Sequence, residues 1–182
     1  MGRNRTIDRD MVLDVAEQIV FRDGATALTF DAVAKAAGIT KGGLQYCFGS
    51  KDDLIAAIVD RGAKVFEAEL ARNTPPDADS LDRARGYIRA SKSIDEPSQA
   101  RFVSVILLLL QSPEQKQKIR EFYAEWITQL DPGSEVERRT RTALIAAEGA
   151  FLLRSLALVE MDQAGWDDVF EDILKALPPK QE

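Results

Sequence analysis

The stretch "FDAVAKAAGITKGGLQYCFGSKDDLI", Phe30 to Ile55, decides how the rest of the chain reads. Ala32, Val33, Ala36 and Ala37 recur at helical spacing and the run breaks at Gly38. Thr29 can cap the start of that helix, and Gly38 suits the left-handed position after its end. Beyond the short turn Ala37 to Ile39, Thr40 can cap a second, brief helix. Ser50 followed by Asp53 resembles a capping box, with Asp in place of the usual Glu or Gln, and opens a long third helix from Lys51 to about Arg72. Two helices joined by a short glycine-containing turn, the first with small inner residues, predict a helix-turn-helix. The second helix of such a unit enters the DNA major groove by its N-terminal residues.

The residues of that second helix carry matching chemistry. Thr40 and Lys41 stand at its leading end, where backbone N–H groups and a cation suit phosphate. Gly42 and Gly43 have no side chains to hold the backbone away from DNA. Gln45 can pair bidentately with an adenine edge, and Tyr46 can reach a phosphate. Cys47 reads as a small packing residue and Lys35 as a solvated helix charge.

Working outward, Met11, Val12, Val15, Ile19 and Val20 predict a preceding helix, capped by Thr6 or Asp8 and stopped by Gly24. After "NTPPDADS" at Asn73 to Ser80, helical patterns run over Leu81–Ile94, Pro97–Gln111 and Pro113–Leu130. Asp131 to Ser134 is a turn. A long helix from Glu135 to about Glu160 and a last one from Trp166 to Leu177 complete an all-α chain of about nine helices.

The 182 residues carry a net charge of −6, which looks wrong for a nucleic-acid binder. Residues 1–50 hold six Lys or Arg against six acids, so the whole excess lies in the remainder. Exposed charges beyond a Debye length, about 8 Å, are largely screened. The acidity of the remainder therefore does not exclude DNA contact by the first fifty residues. One cysteine excludes an internal disulfide and fits a reducing compartment. The complete lack of histidine removes His-based triads, His metal sites and the commonest general base. The longest apolar run, Val105 to Leu110, is far shorter than a membrane span, and "MGRNRTIDRD" does not read as a signal peptide. The expectation is a cytoplasmic protein with no enzymatic activity, no cofactor, no metal and no membrane contact.

From about Asp10 to Ile58 the chain resembles the DNA-binding heads of the TetR/AcrR family of bacterial transcriptional regulators, which commonly read like "T…IA..AGVSKGTLYYHFPSKEAL". The resemblance implies DNA-backbone or groove contacts for Thr29, Thr40, Lys41, Gly42, Tyr46 and Lys51, and a core role for Phe48. It also implies a division into a DNA-binding domain, 1–50, and a ligand-binding and dimerisation domain, 51–182. Three departures stand out. Gln45 replaces a common Tyr or Leu, Cys47 a common His, and Gly49 a common Pro, whose loss should loosen the turn into the next helix.

For a ligand pocket, Phe66, Tyr87, Phe102, Ile106, Leu109, Phe122, Tyr123 and Trp126 offer an apolar, aromatic lining, with Gln111, Glu125 and Glu148 as polar neighbours. A carboxylate among aromatics suits a cation. Aromatics at helical spacing also fit an ordinary core, and Glu148 could instead pair with an arginine. Ala143 to Val159 is apolar nearly all round, so it should be buried on more than one side. Ala143, Ala146, Ala147, Ala150, Leu153, Arg154 and Leu158, with Phe170, Ile173 and Leu174 of the last helix, are the candidate dimer interface. By resemblance these two helices form a four-helix bundle across a two-fold axis. "ERRTR", Glu137 to Arg141, reads as a solvated face.

The combined expectation is a homodimeric repressor. Its recognition helices lie about 34–36 Å apart on a pseudo-palindromic operator. A small hydrophobic or cationic inducer releases it, and an efflux or detoxification gene is its target. The alternatives are a regulator without an inducer, governed by a protein partner or by abundance, and an α-helical enzyme that carries a helix-turn-helix-like fold. The absence of a nucleophile motif or phosphate loop weighs against the last.

Overall fold

The computed structural model describes residues 7–109 and 113–179, with side chains at 96, 100 and 115 outside that description. The candidate cap Thr6 and the candidate pocket residue Gln111 therefore lie outside the described residues. Among the described residues all regular structure is helical: α1 Arg9–Asp23, α2 Phe30–Ala36, α3 Lys41–Phe48, α4 Lys51–Asn73, α5 Ser80–Ser93, α6 Glu96–Leu109, α7 Pro113–Tyr123, α8 Glu135–Ser155 and α9 Gln163–Ala176. A 3-10 turn occupies Ala25–Ala27 and a π-helical turn Ala124–Thr128. None of the described helices is long and apolar enough to cross a membrane.

Local chemistry sets most of the boundaries. The Asp8 carboxylate accepts from Asp10 N at 3.0 Å and Met11 N at 3.2 Å, satisfying donors that the first turn of α1 leaves free. Thr29 Oγ1 accepts from Ala32 N at 3.2 Å, and Thr40 Oγ1 from Gly43 N at 3.0 Å. Gly38 closes α2 at φ 65°. At Ser50 the box is reciprocal: Asp53 accepts from Ser50 N at 2.9 Å, while Asp53 N donates to Ser50 Oγ at 3.1 Å.

Described residues up to Ala63 group with Ala100–Lys116 in one compact unit; Lys64–Gln99 group with those from Gln117 onward in another. In the first unit Val12, Ala16, Val20, Leu28, Val33, Leu44, Phe48, Leu54 and Ile58 are buried. Burying each of the Val, Leu, Ile and Phe side chains among them contributes about 1.5–3 kcal/mol. Gly62 lets α4 approach α6 closely, since a Cβ there would stand 3.0 Å from Val105 Cγ2. In the second unit Ala84, Tyr87, Ile88, Leu144, Ala147, Phe151, Trp166 and Phe170 are buried across α5, α8 and α9.

Two elements differ from the sequence expectation. The Pro113–Leu130 pattern splits, because the backbone widens into the π turn after Tyr123 and shifts the register of Trp126. The expected helix to Glu160 ends at Ser155. There Ala157 N donates to Arg154 O at 3.0 Å and Leu158 N to Leu153 O at 3.0 Å, a Schellman stop with alanine at φ 51° where glycine is usual. The apolar residues Leu156 to Val159 concealed that stop. Leu158 consequently lies outside α8 and is 66% exposed.

Candidate functional site

The candidate recognition element is α3, a two-turn helix fastened by its inner residues. Leu44 and Phe48, four apart, are buried against the first unit's core, so the opposite face is free. That face carries Lys41, Gln45 and Tyr46, all exposed, with Tyr46 at 93%. Thr29, Thr40 and Lys51 are exposed at the starts of α2, α3 and α4. The two threonine hydroxyls already serve as caps, and each keeps acceptor capacity and its own proton for a further partner. Lys41 Nζ stands 3.0 Å from Asp31 Oδ2, both side chains well exposed. A carboxylate on α2 therefore neutralises the cation that α3 places at its own N-terminus.

The two glycines of α3 differ. A Cβ at Gly42 would meet nothing within 4 Å, so the backbone there is open. At Gly43 a Cβ would lie 2.8 Å from Ile7 Cδ1 and 3.1 Å from Thr40 Oγ1. The missing side chain of Gly43 makes room for Ile7 of the same chain. Gly49 departs from expectation. It adopts φ 67°, which proline cannot reach, and the Ser50–Asp53 box holds the following turn. The glycine there serves a turn already closed by side-chain hydrogen bonds.

In the second unit, five aromatic rings and a carboxylate come together. Phe66 meets Tyr87 edge-on at 5.1 Å between centroids, and Tyr87 meets Trp126 at 5.2 Å. Phe122 lies 6.5 Å from Phe66, 6.1 Å from Trp126 and 5.4 Å from Tyr123. Tyr87 Oη donates to Glu148 Oε2 at 2.5 Å, and Tyr123 Oη donates to Glu148 Oε1. Burial first, then the adjacent Glu148 carboxylate, pushes the Tyr87 and Tyr123 hydroxyls well above the ordinary phenol range. Both phenols thus remain donors. Arg83 covers the Trp126 ring at 4.9 Å and lies 3.4 Å from Glu125. Phe102, Ile106 and Leu109 fall in the first unit.

The candidate interface residues divide into two sets. Ala143, Ala147, Ala150, Arg154 and Phe170 are buried within the protomer itself. Arg154 donates to Ser91 O at 2.9 Å and Lys92 O at 3.2 Å, carbonyls left free at the end of α5, and lies over the Phe170 ring at 5.3 Å. Ala146 and Leu153 are exposed, and Ile173 and Leu174 half-buried. With Ile145 at 54% and Leu156 at 37% exposed, an outward apolar stripe runs along α8 at positions 145, 149 and 153 and ends at 156, its C-cap. Its spacing of four, four and three was readable in the sequence; which side of an all-round apolar helix faces inward was not. Below that stripe, Glu135, Arg138, Arg141, Ala146 and Ile173 line an open groove of about 590 Å³.

A short exposed helix after a glycine-containing turn, with a cationic residue in its first turn, has the layout of a helix-turn-helix regulator. The chain belongs to the TetR family: residues 12–58 match the family model for bacterial regulatory proteins of the tetR family, and 82–178 the one for the tetracyclin repressor-like C-terminal domain. It is a transcriptional regulator.

Solved structures share the fold at low identity. A TetR-like transcriptional regulator from Rhodococcus sp. RHA1 is 21% identical, over 96% of this chain and 97% of that one, with a TM-score of 0.69. AibR, in complex with isovaleryl coenzyme A and operator DNA, is 16% identical over 93% and 97% of the two chains, with a TM-score of 0.65. The multidrug binding protein EbrR, complexed with imidazole, is 20% identical over 95% and 96%, with a TM-score of 0.56. No curated protein sequence matches the chain.

Proposed function

We propose that this regulator is a homodimeric, ligand-responsive repressor of the cytoplasm, built from a DNA-binding domain over 1–50 and a ligand-binding and dimerisation domain over 51–182. Thr29, Thr40, Lys41, Gly42, Tyr46 and Lys51 contact the DNA backbone or groove, and Gln45 reads a base edge in each half of a pseudo-palindromic operator. A small hydrophobic or cationic molecule releases the operator, and the controlled gene serves efflux or detoxification. The ligand must bind the non-binding conformer more tightly than the DNA-bound one, because equal affinity for both shifts nothing.

The observation that carries the ligand half is Glu148, which accepts from Tyr87 and Tyr123 at the edge of the aromatic cluster. A carboxylate oriented by two phenols, beside ring faces, attracts an organic cation. The complexes of AibR with isovaleryl coenzyme A and of EbrR with imidazole support small-molecule binding by proteins of this fold. The test is DNA release by a panel of lipophilic cations, repeated with Glu148→Gln. Release that the substitution weakens at least tenfold supports the reading; release by a neutral compound that ignores the substitution moves the ligand elsewhere.

The edge-on contact of Phe66 with Tyr87 favours a second reading, in which the rings simply fill the core. The regulator would then answer to a protein partner or to its own abundance. Operator binding that no compound in the panel alters would select it.

A further inference from the structure

The recognition helix is electrostatically ill-provided by its own sequence. It has a lysine in its first turn and no basic residue in its last, the reverse of what the helix dipole favours. At eight residues it is too short to be stable alone. The segment that leads into α1 supplies what α3 lacks. Arg9 donates Nη1–H to the Cys47 carbonyl, and its guanidinium lies 4.2 Å from the Phe48 ring centroid. It thus brings a cation to the C-terminal end of α3 and stacks on the residue that anchors that end. Two residues earlier, Ile7 occupies the space beside Gly43 near the N-terminal end.

The spacing makes these two contacts one device. Gly43 and Phe48 are five residues apart, about 7.5 Å along a helix axis. Ile7 and Arg9 are two apart across the extended Asp8, about 6.6 Å. Asp8 between them is committed to capping α1, which fixes the segment.

We propose that Ile7 to Arg9 is a strap that sets the orientation of the recognition helix, and that Arg9 is a positioning residue for operator recognition rather than a phosphate contact. The inference rests on the reading that α3 binds DNA. Arg9 acts through its fork and its plane as well as its charge, so lysine does not replace it. The strap fixes which base edges α3 can reach, so its loss separates operator affinity from general DNA affinity.

The test uses the full-length protein, a duplex enriched by the wild type from a randomised library, and poly(dI–dC) as non-specific DNA. Arg9→Lys should bind the enriched duplex about five- to tenfold more weakly, the scale of a stacked, charge-assisted contact. Affinity for poly(dI–dC) should stay near wild type. Arg9→Gln should leave the salt slope of the enriched complex unchanged. Hydrogen exchange at the α3 amides should speed up in both variants and in Ile7→Ala, even without DNA. Wild-type affinity in Arg9→Lys overturns the strap, as does a salt slope in Arg9→Gln reduced by about 0.9, the signature of a lost phosphate contact. Should Arg9→Gln not fold, Arg9→Lys and Ile7→Ala still decide. If the wild type enriches no sequence, the DNA-binding reading fails, and amide exchange alone decides the strap: faster exchange upholds it and unchanged exchange overturns it.

Discussion

Arg61 on α4 is the residue whose loss should most damage the first unit. Its guanidinium pairs with the Glu17 carboxylate: Nε donates to Oε1 at 3.1 Å, and Nη2 stands 2.7 Å from Oε2 as an ion pair. It also reaches Asp14 Oδ1 at 2.9 Å and the Asp10 carbonyl at 3.2 Å. The Glu17 side chain is 6% exposed, and its remaining cation, Arg101, stands 3.5 Å away and is itself 41% exposed. Arg61→Ala therefore strands a buried carboxylate with one weak partner. Breaking such a pair costs about 3–5 kcal/mol, and Arg101 should hold this case near the lower end, about 3 kcal/mol. Glu17→Ala leaves Arg61 with Asp14 and a carbonyl, so the expected loss is smaller, about 1–2 kcal/mol. The double variant has no stranded charge and should be no less stable than Arg61→Ala alone. Urea unfolding followed by far-ultraviolet circular dichroism measures all three. Tryptophan fluorescence serves as a control, since Trp126 and Trp166 both lie in the second unit. A larger loss in Glu17→Ala than in Arg61→Ala, or losses that simply add in the double variant, would refute the reasoning.

Three further outcomes are expected. Lys41→Ala should weaken all DNA sequences alike and lower the salt slope by about 0.9, whereas Gln45→Ala should relax specificity at one base position by about 1–3 kcal/mol; binding titrations at several salt concentrations check both, and a sequence-selective loss in Lys41→Ala would contradict the first. Ala157→Gly should stabilise the chain by about 0.5–1 kcal/mol by relieving a left-handed alanine at the end of α8, and an unchanged or lowered urea midpoint would count against it. Leu153→Glu, on the exposed stripe of α8, should shift sedimentation from dimer to monomer without lowering helix content; an unchanged dimer would move the subunit contact off this face.

What could be read in advance was local. Thr29, Thr40 and the Ser50–Asp53 pair announce their caps because a cap needs only residues three positions apart. Lys41, Gln45 and Tyr46 could be singled out because they stand on the short helix after the glycine-containing turn, and all three are exposed. What escaped depends on distant partners. Nothing near Gly43 indicates that Ile7 fills its place, and nothing near Glu17 indicates Arg61 or Arg101. The partners of Arg154 escaped for the same reason: the carbonyls it caps belong to α5, sixty-three residues away at Ser91. The π turn at Ala124–Thr128 is a backbone adjustment without a composition signal, so the placing of Trp126 beside Tyr87 emerged only in three dimensions.

In the function we propose, one chain joins a sequence-reading head to a ligand switch. That function is tested most directly by selecting genomic DNA with the purified protein, with and without a panel of lipophilic cations. The account predicts enrichment of one pseudo-palindrome and its release by at least one compound, weakened by Glu148→Gln. Failure of the wild type to enrich any sequence at low salt would contradict it.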